Sequence, residues 1–130
     1  MFKIYNDKDN CNHISIIIDN SDIEQIKLIE SSYDGNIRIW NFSNGLLIKK
    51  INVDDEPLYG ICLFNDDFLC VGCDDNTIKI VDLYKNTVID RLEGHNNCVV
   101  SLKIIDNQKE RILMSQAYND EKIGFWKNNN

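Results

Sequence analysis

Short apolar segments alternate with turn-forming residues along the chain. The apolar segments are mostly five to eight residues long, which is typical of strands and too short for several stable helices. Asp34-Gly35 supplies the positive φ angle that a tight hairpin turn requires. Ile37, Ile39 and Trp40 place apolar residues on both faces of one segment, which suits a sheet that is covered on both sides. The pattern therefore predicts an all-β chain whose small sheets lie between neighbouring sheets.

A seven-residue frame occurs three times: Asp, two turn-formers, Ile, any residue, an apolar residue, and Trp or Val. The copies occupy residues 34–40, 75–81 and 120–126 and begin 41 and 45 residues apart. These spacings match the period of roughly 40–45 residues found in four-stranded propeller blades. In addition, His95 follows a glycine and stands 25 residues before Asp120. The frame resembles the WD40 repeat family, and the resemblance covers nearly the whole chain.

The resemblance implies a partial WD40-type β-propeller of three four-stranded antiparallel blades, in one domain over residues 1–130. The predicted repeats cover approximately residues 2–41, 46–82 and 87–127. The twelve predicted strands lie near residues 2–5, 13–19, 23–30 and 36–41 in repeat one, 46–53, 58–64, 68–73 and 77–82 in repeat two, and 87–93, 97–106, 111–117 and 122–127 in repeat three.

The family also implies a hydrogen-bonded network within each repeat. It joins a His before the first strand, a Ser or Thr in the second strand, the turn Asp and the Trp. The predicted network residues are His95, Asp120 and Trp126 in repeat three, Ser32, Asp34 and Trp40 in repeat one, and Asp75 in repeat two.

The repeats depart from this network at three positions. In repeat three, Tyr118 stands where a Ser is usual, and in repeat two Cys73 and Val81 replace the Ser and the Trp. In repeat one, His13 is a candidate for the histidine but lies unusually close in sequence. These departures weaken the predicted network without changing the predicted fold.

Propellers present a rim of loops that binds peptides and proteins, and in the family the residues next to the turn Asp often face this rim. Tyr33, Asp74 and Asn119 hold these positions and are the predicted protein-binding residues. Each is also an ordinary residue for a turn.

Metal binding and catalysis are the competing interpretations. Cys70, Cys73, His95 and Cys98 superficially match a zinc pattern. However, Cys70 and Cys73 lie three apart in a predicted strand, so their side chains point to opposite faces. Together with Cys62, they are better explained as small buried residues. His95 beside Cys98 also suggests a nucleophile with its base, but the repeat already explains this histidine. We therefore predict no catalytic residue, no metal, no cofactor and no enzyme activity.

Charge and cysteine content limit the classes of partner and the cellular compartment that we expect. The net charge is −7 and the 14 basic residues form no dense cluster, which disfavours nucleic acid as a partner. No apolar run approaches the roughly 20 residues of a membrane-spanning helix, so we predict no membrane partner. An odd number of cysteines, five, without an export signal favours a reducing compartment, and we predict a cytoplasmic protein.

Three repeats are too few for a ring, because propellers have typically four to eight blades. The terminal blades would each expose an apolar face and a strand edge. We expect the missing blades to come from a longer chain, of which this is the C-terminal part, from self-association or from another subunit. The predicted function is a non-catalytic protein–protein interaction scaffold. The alternatives are a substrate-recruiting tail of a multidomain enzyme, such as a kinase or ubiquitin ligase, and a structural subunit of a large assembly.

Overall fold

A computed structural model describes residues 17–19 and 26–127 of the chain. Over these ranges the chain is all-β, and no helix in them is long and apolar enough to cross a membrane. The described strands are β1 (Ile17–Asp19), β2 (Lys27–Ser31), β3 (Asn36–Asn41), β4 (Leu47–Asn52), β5 (Leu58–Leu63), β6 (Phe68–Cys73), β7 (Ile78–Asp82), β8 (Thr87–Leu92), β9 (Val99–Asp106), β10 (Arg111–Ala117) and β11 (Ile123–Lys127).

The strands pair in chain order into three antiparallel sheets. Strands β1 to β4 form sheet 1, β5 to β8 form sheet 2, and β9 to β11 form sheet 3. Within each sheet, each strand pairs with the strand before it in the chain as a hairpin. The predicted all-β, antiparallel architecture is confirmed. Sheet 3 has three strands over the described residues, where four were predicted.

The sequence repeats and the sheets are offset by one strand. The strand predicted to open repeat two is β4, which pairs with β3, so that Ile51 lies opposite Ile37 in sheet 1. In the same way β8 pairs with β7 of sheet 2. The first strand of a sequence repeat therefore completes the sheet that precedes it in the chain. The predicted strand near 2–5 and His13 lie outside the described residues.

Two apolar cores fill the two spaces between neighbouring sheets. The first joins sheets 1 and 2 and contains Ile29, Ile37, Ile39, Ile51, Val53, Leu58, Ile61, Leu69, Val71, Cys73 and Val81. The second joins sheets 2 and 3 around Cys70, Ile78, Val99 and Leu113. Strand β6 contributes to both cores, because successive side chains of a strand point to opposite faces. The expectation that Cys70 and Cys73 face opposite ways is therefore confirmed.

Gly72 allows sheets 2 and 3 to approach closely. A Cβ at this position would lie 2.8 Å from the carbonyl carbon of Val99 and closer still to its oxygen. Since that neighbour is backbone, no rotamer change relieves the clash. A glycine inside a strand is typical of such a close backbone approach.

Candidate functional site

The third repeat contains a complete hydrogen-bonded centre. Nδ1 of His95 lies 3.2 Å from Oδ2 of Asp120, and its Nε2 lies 2.6 Å from Oγ of Ser115. The indole Nε1 of Trp126 donates to the same Ser115 oxygen at 2.8 Å. The Asp120 carboxylate can only accept hydrogen bonds, so Nδ1 of His95 carries a proton and donates to it. In the neutral imidazole Nε2 is then an acceptor, and the Ser115 hydroxyl donates to it.

Ser115, and not Tyr118, supplies the hydroxyl of this centre, so the sequence-based placement of Tyr118 was wrong. Strand register puts Ser115 opposite Gly124, whereas the Tyr118 side chain is 64% exposed. The β10–β11 turn is one residue longer than the β6–β7 turn, and Asn119 adopts a left-handed φ of 52° in it. The extra turn residue accounts for one of the three positions between Tyr118 and Ser115. The other two arise because Ser115 lies further back in its strand, opposite Gly124, where the other sheets have Glu30 and Val71.

Because Gly124 has no side chain, the groups of the third centre can lie against its backbone. A Cβ on Gly124 would lie 2.7 Å from Nε1 of Trp126, 3.0 Å from Nε2 of His95 and closest of all to Oγ of Ser115. The sequence frame treated this position as free to hold any residue. The structure therefore identifies a requirement that the sequence analysis missed.

The other two repeats hold a buried cation at the position of Gly124. Arg38 and Lys79 each lie four residues after their turn Asp and form an ion pair with it, Arg38 with Asp34 and Lys79 with Asp75. In repeat three the turn Asp instead accepts a hydrogen bond from the histidine. In each centre the turn carboxylate lies beside an apolar core and needs a polar partner. Two repeats supply a cation, and the third supplies a histidine.

In the first centre Arg38 lies between two carboxylates. Its guanidinium contacts Glu30 at 3.4 Å and also pairs with Asp34. Burial by itself would raise the pKa of Asp34, but hydrogen bonds from Arg38 and Ser32 prevail and lower it to about 2. Nε1 of Trp40 donates to Oε2 of Glu30 at 3.1 Å. Of the predicted set, Ser32 and Asp34 are therefore brought together, while Trp40 bonds to Glu30 instead of Ser32.

In the second centre Lys79 links two sheets. Its Nζ lies 2.8 Å from Oδ2 of Asp75 and 2.8 Å from Oδ2 of Asp54, and it also contacts Oγ1 of Thr77 at 3.2 Å. Asp54 belongs to the loop that follows sheet 1. Burial opposes the charged form of Lys79, yet the hydrogen bonds that it donates to the Asp54 and Asp75 carboxylates raise its pKa. Three oxygen partners satisfy the three ammonium protons.

The second centre also contains a set of potential metal ligands. Asp54, Cys73 and Asp75 offer ligand atoms within 4.8 Å of one another. The Lys79 ammonium lies within hydrogen-bonding distance of both carboxylates and already compensates their charge. A metal ion would have to displace this ammonium to use the set.

The zinc set considered from the sequence is not assembled. Cys70 lies in the core between sheets 2 and 3, and Cys73 lies in the core between sheets 1 and 2. Both ring nitrogens of His95 are engaged by Asp120 and Ser115. These residues therefore do not converge on one point.

The third centre has the order of groups found in a nucleophilic triad, with Ser115, His95 and Asp120 in line. However, Ser115 is 2% exposed and its oxygen already accepts a hydrogen bond from Trp126. An attacking oxygen needs access to a substrate carbonyl. The centre instead joins β10, β11 and the loop before β9.

Two of the predicted rim residues are brought together by a third that the sequence analysis missed. The ring of Tyr33 packs edge-on against Tyr59, with centroids 5.8 Å apart and an interplanar angle of 86°. The Tyr59 hydroxyl donates to Oδ1 of Asp74 at 2.7 Å. Burial and this bond to a carboxylate raise the pKa of the Tyr59 phenol. Tyr33 and Asp74 belong to different sheets, so their proximity depends on sheet packing.

Asn119 is exposed in the longer β10–β11 turn. However, the backbone hydrogen bonds show that Tyr118, and not Asn119, holds the position in this turn that is equivalent to Asp74. The N–H of Tyr118 donates to the carbonyl of Cys98, as the N–H of Asp74 donates to that of Pro57. Tyr118 therefore occupies the position in sheet 3 that Asp74 occupies in sheet 2. Exposed acidic residues surround this end of the sheets: Asp55, Glu56, Asp74 and Glu121.

Three antiparallel sheets stacked in chain order, each with a polar centre built on the same frame, define a WD40-type β-propeller protein. Residues 52–82 match the family model described as WD domain, G-beta repeat. The resemblance inferred from the sequence is confirmed, and the chain is a WD40 repeat protein.

Two curated relatives and one solved structure are similar to this chain. The U3 small nucleolar RNA-associated protein 21 homolog of Schizosaccharomyces pombe is 32% identical over 68% of this chain. The ribosome biogenesis protein YTM1 of Vanderwaltozyma polyspora is 31% identical over 77% of it. The solved structure of U3-55K covers 94% of the chain with a TM-score of 0.72 and 16% identity, which is a likeness of fold alone.

The chain spans only part of these proteins: 10% of the first relative, 25% of the second and 37% of the solved chain. The relatives' names also overturn the predicted cytoplasmic location, since one refers to a small nucleolar RNA and the other to ribosome biogenesis. Reduced cysteines led to the cytoplasmic prediction, but thiols stay reduced in the nucleus as well as in the cytosol. Cysteine content therefore does not distinguish these two compartments.

Proposed function

We propose that this chain is a non-catalytic interaction scaffold that forms part of a larger propeller within a ribosome-biogenesis assembly. The observation that carries the proposal is the outer face of sheet 3. Ile123 is 54% exposed and Phe125 is 60% exposed. At the position of Ile123 the other two sheets have Ile37 and Ile78, which are fully buried, and at the position of Phe125 they have Ile39, which is 3% exposed, and Ile80, which is half-buried. The same positions face a neighbouring sheet at both internal interfaces. Their exposure in sheet 3 therefore supports a further sheet packed on this face.

The edge of sheet 3 supports the same proposal. Within the described part of the chain, β11 pairs with β10 alone, so its outer edge is available to another strand. A cavity of about 280 Å³ opens beside this edge, between Trp126 of sheet 3 and Ile80 and Ile89 of sheet 2. In sheets 1 and 2 a fourth strand, whose sequence begins the next repeat, occupies the corresponding edge. Strand addition at an open edge is an established mode of protein recognition.

The rim provides a second proposed surface. Tyr33 and Tyr59 present aromatic rings next to Asp74, among the exposed acidic residues of the loops. Aromatic faces and carboxylates favour cationic side chains. We therefore propose that the rim binds a basic protein segment. Asn119, on the longer turn of sheet 3, stays a candidate on the same rim.

The relatives support a nuclear or nucleolar assembly. Their names refer to ribosome biogenesis and to a small nucleolar RNA, so RNA is expected in the same particle. The described surface supports protein rather than RNA as the direct partner, because Arg38 and Lys79 are buried in ion pairs and the chain carries a net charge of −7.

Sedimentation of the tagged protein from its own cells tests this proposal. We expect the wild type to sediment with large nuclear particles, and the Phe125→Asp variant to remain in the light fractions. Tyr84→Asp is the matched control, because Tyr84 is 88% exposed in a turn of sheet 2 and lies outside both proposed surfaces. A wild type that sediments as a small free protein, or a Phe125→Asp variant that sediments like it, would contradict the proposal. Release of the protein by ribonuclease would favour RNA as the direct partner.

A further inference from the structure

Two cysteines face each other across the β5–β6 hairpin. We propose that Cys62 and Cys70 form a dithiol site that a low-molecular-mass disulfide, such as glutathione disulfide, oxidises reversibly to an intrachain disulfide. The site is independent of the proposed function.

Strand register places the two residues directly opposite each other. Cys62 pairs with Cys70, between the pairs Ile61 with Val71 and Leu63 with Leu69. Opposite residues of an antiparallel pair have their Cα atoms about 4.5 or about 5.5 Å apart, depending on whether they exchange hydrogen bonds. Both separations fall within the range of disulfides, roughly 4.4–6.8 Å.

The hydrogen-bond pattern selects the wider of the two separations. The N–H of Phe64 donates to the carbonyl of Phe68 at 2.9 Å, so this pair is a hydrogen-bonded one. Cys62 and Cys70 lie two residues further along each strand, and the pattern repeats every two residues. Their expected Cα separation is therefore about 5.5 Å, close to the most frequent value in disulfides.

The two thiols are also neighbours in the core. Both residues are free cysteines that belong to the core between sheets 2 and 3. A hydrogen bond with the Cys62 thiol, followed by burial, raises the pKa of Cys70. Cys70 therefore stays protonated until its partner has reacted. Cys62, which is only half-buried, is the group that meets a reagent first.

The other described cysteines do not compete for this pairing. Cys73 is on the opposite face of β6, in the core between sheets 1 and 2. Cys98 precedes β9, in a loop at the other end of the β5–β6 hairpin from Phe64 and Phe68. The geometry thus favours one disulfide partner for each of the two thiols.

Oxidation proceeds by two thiol–disulfide exchanges. The Cys62 thiolate attacks one sulfur of glutathione disulfide, forms a mixed disulfide and releases one glutathione thiolate, which takes up a proton. The Cys70 thiol then loses its proton and attacks Sγ of Cys62, which forms the intrachain bond and expels the second glutathione. The protein loses two hydrogen atoms and one glutathione disulfide becomes two glutathione thiols. Excess reduced glutathione reverses both steps.

Mass spectrometry of the intact, folded chain tests the proposal. After equilibration with glutathione disulfide and alkylation of the remaining thiols, we expect a species lighter by two hydrogen atoms, with a Cys62–Cys70 bridge in its peptide map. Added reduced glutathione should restore the alkylated form. The Cys70→Ser variant should stop at the mixed disulfide on Cys62, while Cys73→Ser and Cys98→Ser, the matched controls, should form the bridge like the wild type.

Three results would overturn the inference. The first is a fully alkylated chain after treatment at an oxidising ratio of glutathione disulfide to glutathione. The second is a bridge that uses Cys11, Cys73 or Cys98 in place of either proposed residue. The third is a bridge that persists in excess reduced glutathione. Circular dichroism recorded on the same samples ensures that each variant is folded when it is scored.

Discussion

Lys79 and Asp54 join two sheets through a partly buried ion pair. The ammonium group, on a residue that is 8% exposed in the middle of sheet 2, lies 2.8 Å from the carboxylate of Asp54, in the loop that leaves sheet 1. The same ammonium neutralises Asp75 in its own sheet. The Lys79 ammonium therefore links the turn before β7 to the loop that leaves sheet 1, and so stabilises the packing of sheet 1 on sheet 2.

Replacing Lys79 with Met should destabilise the chain, because Asp54 and Asp75 would face each other without a cation. Breaking a buried pair costs about 3–5 kcal/mol and an exposed pair at most about 1 kcal/mol. Since both carboxylates are partly exposed, we expect a loss of about 2 kcal/mol in urea unfolding. Lys85→Met, on an exposed turn residue, should change the stability by less than about 0.5 kcal/mol. Equal effects of the two variants would refute this account.

Acid should weaken the fold through its turn carboxylates. The pKa of Asp34 is lowered from 3.8 to about 2, where hydrogen bonds from Arg38 and Ser32 outweigh burial, and the pKa values of Asp54 and Asp75 are lowered too. A carboxyl group whose pKa is lower in the folded chain than in the unfolded chain stabilises the fold at any pH above its unfolded-state pKa. This stabilisation is lost as the pH falls through its folded-state pKa. We therefore expect the free energy of unfolding to fall between pH 4 and pH 2, with at most about 2 kcal/mol from Asp34.

The Asp34→Asn variant checks this assignment. Its unfolding free energy should be lower than that of the wild type at pH 7, and the two values should converge towards pH 2. Chemical denaturation at a series of pH values measures both curves. Parallel curves, with the same difference at every pH, would show that the ionised form of Asp34 has no special role.

A side chain at Gly124 should disrupt the centre around His95. The added methyl group of Gly124→Ala would overlap Ser115 and crowd Nε1 of Trp126, and overpacking costs typically about 1–3 kcal/mol. Trp126 fluorescence should report the loss of its bond to Ser115 together with the lower unfolding midpoint. Gln116→Ala, on an exposed residue of the neighbouring strand, serves as the control. A Gly124→Ala protein with unchanged fluorescence and midpoint would disprove the steric argument.

Gly72→Ala should separate sheets 2 and 3, since the methyl group would meet the backbone of Val99. The cost should reach about 3 kcal/mol or more, because a backbone neighbour does not move aside as a flexible side chain does. Thermal unfolding measures the effect, with Ser101→Ala in β9, where the side chain is exposed, as the control. If the alanine variant melts at the same temperature as the wild type, the close approach of the two backbones is not essential.

The strands and turns were predictable from the sequence because they depend on local patterns. The predicted strand at 68–73 and the observed β6 have the same bounds, and so do 36–41 and β3. Asp34-Gly35 and Asp75-Asn76 mark turns whose second residues have φ values of 83° and 72°. Alternation of side chains and the backbone freedom of turn residues act within a few positions, so a short stretch of sequence contains the information.

The partners within each centre were decided by tertiary structure. Ser115 and not Tyr118 supplies the hydroxyl because cross-strand pairing places it opposite Gly124, and Asp54 reaches Lys79 only because a loop of one sheet folds over the next. The sequence by itself determined the repeat, the strands and the turn acids, which follow from local periodicity, whereas the sheet to which β4 and β8 belong was decided by strand pairing. Which group compensates each buried charge depends on residues distant in sequence, and only the packing of sheet against sheet brings those together.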